Sequence, residues 1–318
     1  MNKLILPSSA TLPAPLNEPG QKAQVRFLEF FTANIRNPNT RKAYMRAALD
    51  FMEWCTERGI TTLLAVQPVH VAAWIEELGR NHAVPTVKLR LAAIRHLFDW
   101  MVTGQVMPSN PAHAVRGPSY STKKGKTPVL SPEEARHLLA SIPTDTISGK
   151  RDRALIGLMT YSFARVGAAL SMEVRDVFVQ NRRLWVRLRE KGGKNHEMPC
   201  HHSLEAYLDD YLEAAGLREH PRSPLFRTIT RGTGTLSETP LPQANAYATI
   251  QRRAKAAGID TAVCCHTFRA TGITAYLKNG GTLEKAAQMA NHASTRTTQL
   301  YDRRSDEVSL DEVERILI

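Results

Sequence analysis

The stretch Arg183-Leu184-Trp185-Val186-Arg187-Leu188-Arg189-Glu190, followed at once by Lys191-Gly192-Gly193-Lys194, breaks the texture of the chain around it. Leu184, Val186 and Leu188 fall on one side of a period-two repeat, and Trp185, Arg187 and Arg189 on the other. That is the pattern of a half-buried strand with a basic outer face. The Gly pair marks a turn, and Glu197 to Cys200 fits a short return strand. On both sides of this hairpin the apolar residues recur at helical spacing instead. The reading is a mainly α protein whose second domain is mixed α/β with a small antiparallel sheet.

Upstream, Leu130-Ser131-Pro132-Glu133-Glu134 opens that domain: Ser131 as N-cap, Pro132 at the first helical position and Glu134 closing a capping box. Before it, Pro108, Pro111, Gly117, Pro118, Gly125 and Pro128 punctuate the chain. Between Thr86 and Lys126 stand Lys88, Arg90, Arg95, Arg116, Lys123, Lys124 and Lys126 against the single acid Asp99, a local excess of +6. A basic linker laid along a phosphate backbone explains this better than a solvated tether, because the flanking helix is basic too. Further upstream, Val25, Leu28, Phe31 and Ile35 form a helical stripe; Asn37-Pro38-Asn39-Thr40 is a turn and cap; Tyr44, Ala48, Phe51 and Trp54 share a face. Pro68 and Pro85-Thr86 start two more helices. The expected domains are a flexible tail over 1–21, a helical bundle over 22–115, a basic linker over 116–128, a second domain over 129–304 and a terminal docking helix over 305–318.

The chain has 318 residues and a formal net charge of +12, from 42 Lys and Arg against 30 Asp and Glu. The balance favours a polyanionic partner. No apolar run is long enough to cross a bilayer, and the Pro-rich start lacks the apolar region of a signal peptide. A cytoplasmic protein without a membrane partner is expected. Cys55, Cys200, Cys264 and Cys265 include no CxxC pair and suggest neither a disulfide framework nor a zinc site, so neither metal nor cofactor is expected.

Five short pieces then need one explanation. Arg165 lies in Phe163-Ala164-Arg165, and Lys191 in the hairpin turn. His266-Thr267-Phe268-Arg269 sets two polar residues on one helical face. His292 follows Asn291, and Tyr301 comes nine residues later. Within one unbroken helix that spacing would point the two rings apart. Ser294 is a plausible N-cap, which puts His292 in a turn and Tyr301 in the next helix, so both can reach one site.

These pieces, in this order, resemble the tyrosine recombinase family: an Arg early in the second domain, a hairpin Lys followed by Gly, an HxxR box, then a His and a Tyr nine residues on. Asn39-Thr40-Arg41-Lys42-Ala43-Tyr44 and Phe51-x-x-Trp54-Cys55 resemble the family's core DNA-binding domain. The resemblance covers about residues 22 to 304. There are three departures. Phe163-Ala164-Arg165 stands where the family usually has Gly-Leu-Arg, Ala168 where it commonly has an acid, and Asn291 where a Gly usually precedes the second His.

The resemblance implies a helical, SAM-like core-binding domain and a mixed catalytic domain closing as a C-clamp around DNA. It implies site-specific strand exchange through a 3′-phosphotyrosyl intermediate and a Holliday junction, in a tetramer on two sites, on mobile-element or Xer-type DNA at the bacterial nucleoid. A second recombinase or a DNA-bending accessory protein would be a further partner. The chemistry is reasonable on its own terms. Arg165 and Arg269 can clamp the equatorial oxygens of a phosphodiester. Tyr301 supplies the nucleophile, His266 takes its proton, and Lys191 protonates the departing 5′ oxygen. His292 is expected to bond a non-bridging oxygen. Arg41, Lys88, Arg90, Arg95, Lys123, Lys124, Lys126 and Lys194 are the candidate DNA contacts. The rivals are a type IB-like topoisomerase and a non-catalytic DNA-binding protein. Ser309 and Glu312 form another capping box, and the Ile316-Leu317-Ile318 end that follows is expected to dock on a neighbouring subunit.

Overall fold

A computed structural model describes residues 14–17, 21–121, 125–190, 195–303 and 313–316. The chain divides into two compact units, Met1–Ser121 and Thr122–Ile318. No helix among the described residues is long and apolar enough to cross a membrane.

The first unit is all helix: α1 (Ala14–Asn17), α2 (Gln21–Glu29), α3 (Pro38–Glu57), α4 (Pro68–Asn81) and α5 (Val84–Thr103). Asn37 caps α3, its side chain accepting from the amides of Asn39 and Thr40. The stripe that begins in α2 ends in a π turn over Phe30–Asn34, and both Phe30 and Phe31 reach the core. At the centre of that core the Phe51 ring meets Trp54, Trp74 and Phe98. Fully burying one such ring contributes about 2–3 kcal/mol. The expected tail over 1–21 needs correcting. Ala14–Asn17 is helical and Leu16 is 0% exposed, part of the same apolar cluster. A single Leu among prolines has no periodicity to announce it.

The second unit continues with α6 (Pro132–Ser141), whose capping box forms through Ser131 and Glu134. Then come α7 (Ile147–Tyr161) and α8 (Val166–Leu170). Strands β1 (Val177–Gln180), β2 (Arg183–Arg189) and β3 (Asn195–Pro199) make an antiparallel sheet in the order β1-β2-β3. Leu184, Val186 and Leu188 are buried, as their alternation requires. The opposite face of β2 is not an open basic surface, however. Arg187 pairs with Glu197 at 2.6 Å and with Asp176 at 3.8 Å, and Arg189 with Asp176 at 3.5 Å.

After α9 (His202–Ala214) a second, two-stranded sheet of β4 (Arg227–Ile229) and β5 (Leu236–Pro240) interrupts a region expected to be helical. Like β1, these strands are too short for a periodicity to register. The chain ends in α10 (Gln243–Ala256), α11 (Cys265–Lys278), α12 (Leu283–Met289) and α13 (Thr295–Gln299). Helix α11 is buried on nearly every side. Gly272 lets it lie against α7, since a Cβ there would come within 2.0 Å of the Thr160 carbonyl oxygen.

The basic linker over 116–128 is held at both ends. Upstream, Arg95 donates to the carbonyls of Ala112 and Val115. Downstream, the Gly125 amide donates to the Leu300 carbonyl at 2.9 Å, and the Leu130 amide to Thr271 Oγ1 at 3.0 Å. A Cβ at residue 125 would meet the Leu300 oxygen at 2.5 Å, so this close pairing requires glycine. Most of the expected docking helix, 305–312 and 317–318, lies outside the described residues; within 313–316, Val313 and Ile316 are exposed.

Candidate active site

Helix α11 sets the frame. The Cys264 amide donates to Thr267 Oγ1 at 3.1 Å and fixes the helix start. His266 then falls in the first turn and Arg269 one turn deeper, on the same face. Arg269 is 1% exposed. One of its terminal nitrogens donates to the Phe163 carbonyl; the other donates to the Ala290 carbonyl at 2.6 Å and contacts His292 Nε2 at 2.7 Å. Its Nε is buried without a hydrogen-bond partner. Leaving a buried donor unpaired costs on the order of 1–3 kcal/mol, so Nε has capacity for an acceptor, and the neighbouring Tyr301 also acts on this guanidinium.

The same contacts fix a tautomer. A guanidinium can only donate, so His292 Nε2 accepts, and the neutral ring carries its proton on Nδ1. That nitrogen sits 2.8 Å from Thr298 Oγ1 and donates to it. Both nitrogens of His292 are therefore occupied, and the ring aims Arg269. The direct bond to a phosphate oxygen expected from the sequence would require the ring to release Arg269.

Ser294 caps α13 as expected, but the helix stops at Gln299, so Tyr301 lies in the turn beyond it rather than within it. Its backbone is pinned at both ends: the amide donates to the Thr298 carbonyl at 2.9 Å, and the carbonyl accepts from Thr274 Oγ1 at 2.9 Å. The ring lies parallel to His292, with centroids 5.8 Å apart and planes at 10°. Its hydroxyl is 2.6 Å from His266 Nε2. Burial, then the charges of Arg269 and Arg165, hold His266 below the ordinary imidazole value. The same influences, joined by His266, bring His292 down to about 4. Burial and Arg165 also lower the Arg269 guanidinium to about 10, still protonated near neutral pH. The result is a neutral imidazole within hydrogen-bond distance of a phenol, beside a buried cation; in the tautomer with its proton on Nδ1, Nε2 accepts from the hydroxyl. Such a pair can take a proton from the nucleophile as it attacks an anionic centre.

Arg165 approaches from α8, whose N-cap it is. Its Nη1 pairs with Glu190, a buried carboxylate at the end of β2. The sequence reading missed Glu190, although a signal was present. It is the next member of the inward series Leu184, Val186, Leu188, and an acid on an apolar face demands a buried cation. The carbonyls of Phe163 and Ala290 were missed for a different reason, since backbone acceptors have no residue signature, and the Thr298 hydroxyl because a lone Thr in a short helix has no telling interval. Lys191, the candidate acid, and Lys194 lie outside the described residues. Among the described residues no three His, Cys, Asp or Glu side chains gather as metal ligands.

The candidate DNA contacts separate into two groups. Lys88 and Lys126 are exposed. Arg41 is engaged with the Ile35 carbonyl at 3.1 and 2.8 Å, Arg90 with Asp50 at 2.5 Å, and Arg95 with the two carbonyls already named. Each of these three arginines already has a partner within the first unit, so only its remaining N–H groups could serve a phosphate. Lys123 and Lys124 lie outside the described residues.

The sequence profile of the Phage integrase family matches residues 128–307, and that of the Phage integrase N-terminal SAM-like domain matches residues 25–105. Tyrosine recombinase XerC of Myxococcus xanthus is 26% identical over 283 residues, which cover 86% of this chain and 91% of that protein. Among solved structures, the XerH site-specific recombinase in a post-cleavage complex with palindromic difH substrate superposes with a TM-score of 0.69 at 17% identity, covering 96% of each chain. A lambda integrase tetramer bound to a Holliday junction gives 0.66 at 17% identity, covering 90% of this chain and 79% of that one.

Proposed function

Because the chain belongs to the Phage integrase family and is a site-specific tyrosine recombinase, we propose that Tyr301 cuts DNA by attacking a phosphodiester, with His266 as its proton acceptor. The observation that carries this reading is the 2.6 Å contact between the Tyr301 hydroxyl and His266 Nε2 beside Arg269, whose buried Nε has no partner. A phosphate oxygen in that position would satisfy the Nε donor. Arg165 would hold a second oxygen, so the charge gathering on the equatorial oxygens meets two guanidiniums.

As the bond from Tyr301 oxygen to phosphorus forms, the bond from phosphorus to the 5′ oxygen breaks. The phenolic proton passes to His266, and Lys191 donates one to the departing 5′ oxygen. The product is a 3′-phosphotyrosyl link that conserves the energy of the cut strand. The 5′ hydroxyl of a partner duplex reverses the step and releases the phenol, which recovers its proton from His266. Two such exchanges, in a tetramer on two DNA sites, would pass through a Holliday junction; the likeness to the lambda integrase tetramer supports this arrangement. In a bacterial cell the place of action would be the nucleoid. Family membership sets the topoisomerase reading aside, and the Tyr301–His266 contact argues against a decayed site.

The test is a nicked suicide duplex carrying DNA from the gene's own neighbourhood. Wild type should form a covalent adduct and Tyr301→Phe none, with both proteins binding the duplex equally. An adduct from Tyr301→Phe would overturn the assignment.

A further inference from the structure

We infer that Glu190 is a positioning residue that aims Arg165, a role resting on the reading of Arg165 as a phosphate clamp. Arg165 sits at the N-cap of a five-residue helix with its side chain 39% exposed. A long side chain in that setting loses considerable rotamer entropy when it is held in one pose. Its own helix offers nothing to hold it. The position one turn on, facing the same way, is Ala168, and the rest of α8 is Val166, Gly167, Ala169 and Leu170.

The carboxylate comes from another element. Glu190 follows the last paired residue of β2 and has a side chain 4% exposed. A carboxylate removed from water in this way needs a cation, and among the described residues its recorded ion-pair partner is Arg165 Nη1. The negative charge of Glu190 also reaches Arg269, where it counters the repulsion from Arg165. A strand end thus supplies a fixed anchor for one edge of the Arg165 guanidinium. The planar group has five donors, so the edge carrying Nε and Nη2 stays available for a phosphate.

Positioning and plain electrostatics predict opposite signs. If Glu190 acted only through its charge, removing it would make the site more cationic, strengthening DNA binding and speeding attack on the phosphate. If it aims Arg165, its removal slows the chemical step while the cationic site still binds DNA.

The experiment is single-turnover cleavage of the suicide duplex at saturating DNA, with wild type, Glu190→Gln, Arg165→Ala and the double variant. Glu190→Gln should cleave about 10- to 100-fold more slowly, with DNA affinity unchanged or tighter. On the Arg165→Ala background the same change should add nothing, because the residue it acts through is gone. Cleavage by Glu190→Gln within twofold of wild type, or faster, overturns the inference, as does a loss that persists in full on the Arg165→Ala background. A measurement on the unaltered chain keeps the idea testable should Glu190→Gln misfold. The guanidinium N–H signals of Arg165, assigned by their absence in Arg165→Lys, should show hindered rotation in the DNA-free protein; free rotation sinks the claim. Normal rates in Glu190→Gln would remove this inference alone, whereas an adduct from Tyr301→Phe would remove the reading beneath it.

Discussion

The two guanidiniums of the site are held in contrasting ways. Arg269 is built into α11, is 1% exposed, and is fixed by the carbonyls of Phe163 and Ala290 and by the ring of His292. Arg165 has a side chain 39% exposed and pairs with a carboxylate at the end of a strand. One is part of the core and the other is an attachment to it. Placement and stability are therefore a single property for Arg269 and separable properties for Arg165.

The sharpest way to break that contrast is to replace each by lysine, which keeps the charge and loses the fork. Both variants should lose cleavage, by roughly 100- to 1000-fold, since each removes a donor aimed at transition-state charge. Their stabilities should diverge. Arg269→Lys leaves two buried carbonyls without their donors and should cost about 2 kcal/mol or more in a denaturant melt. Arg165→Lys keeps a cation beside the buried Glu190 and strands no buried carbonyl, so it should cost clearly less, about 1 kcal/mol. Equal stabilities in the two variants would dissolve the distinction.

A smaller effect tests the buried half by pH. The folded chain keeps His292 neutral, with its pKa down at about 4 against the ordinary 6.5. Between those values the unfolded chain binds a proton that the folded chain refuses. Stability is therefore fully present above about pH 6.5 and declines as the pH falls toward 4. His266 is shifted in the same direction and adds to the trend, and the acid limb of cleavage should lie below the ordinary imidazole value for the same reason. Unfolding free energies followed from pH 7 down to pH 4 should show a shallower decline in His292→Gln than in wild type. Identical slopes would mean the ring is not held neutral in the folded chain, whether by burial or by the charges of Arg269 and Arg165.

What the sequence revealed follows the same division. His266, Arg269, His292 and Tyr301 were legible because the chemistry resides in side chains at telling intervals, and the Ser294 cap explains how a nine-residue spacing brings His292 and Tyr301 together. The bundle of α2 to α5 and the hairpin strand β2 were legible from apolar period. Backbone acceptors, and strands of three to five residues such as β1, β4 and β5, were not, since neither has a period or a residue type of its own. The pairing of the first unit's arginines was not legible, because charge count says nothing about it: Arg90 is engaged with Asp50 and Arg95 with backbone carbonyls. Glu190 lay in plain view and needed only the strand register to be carried one step further.

The finest comparison lies within the shell around Arg269. Two departures from the family pattern, Phe163 and Asn291, both take left-handed backbone, with φ of 54° and 47°. Glycine is the residue that adopts this conformation freely, which gives the family's preference at these two places a physical reason. Restoring glycine should nevertheless act in opposite directions. Asn tolerates the left-handed region better than most residues, so Asn291→Gly should be neutral or stabilise by about 0.5 kcal/mol. At Phe163 the relief of strain is larger, about 1–2 kcal/mol. Against it stands a ring buried in the small cluster with Ala270, Ile273, Leu277 and Tyr301, lying over Gly272 and 6.2 Å from the Tyr276 ring. Deleting a buried Phe costs about 3–5 kcal/mol, so Phe163→Gly should destabilise by roughly 1–4 kcal/mol. It should also slow cleavage, because the Phe163 carbonyl that aims Arg269 rides on the same residue. If Phe163→Gly melts at or above wild type, the ring is dispensable to the cluster around Tyr301.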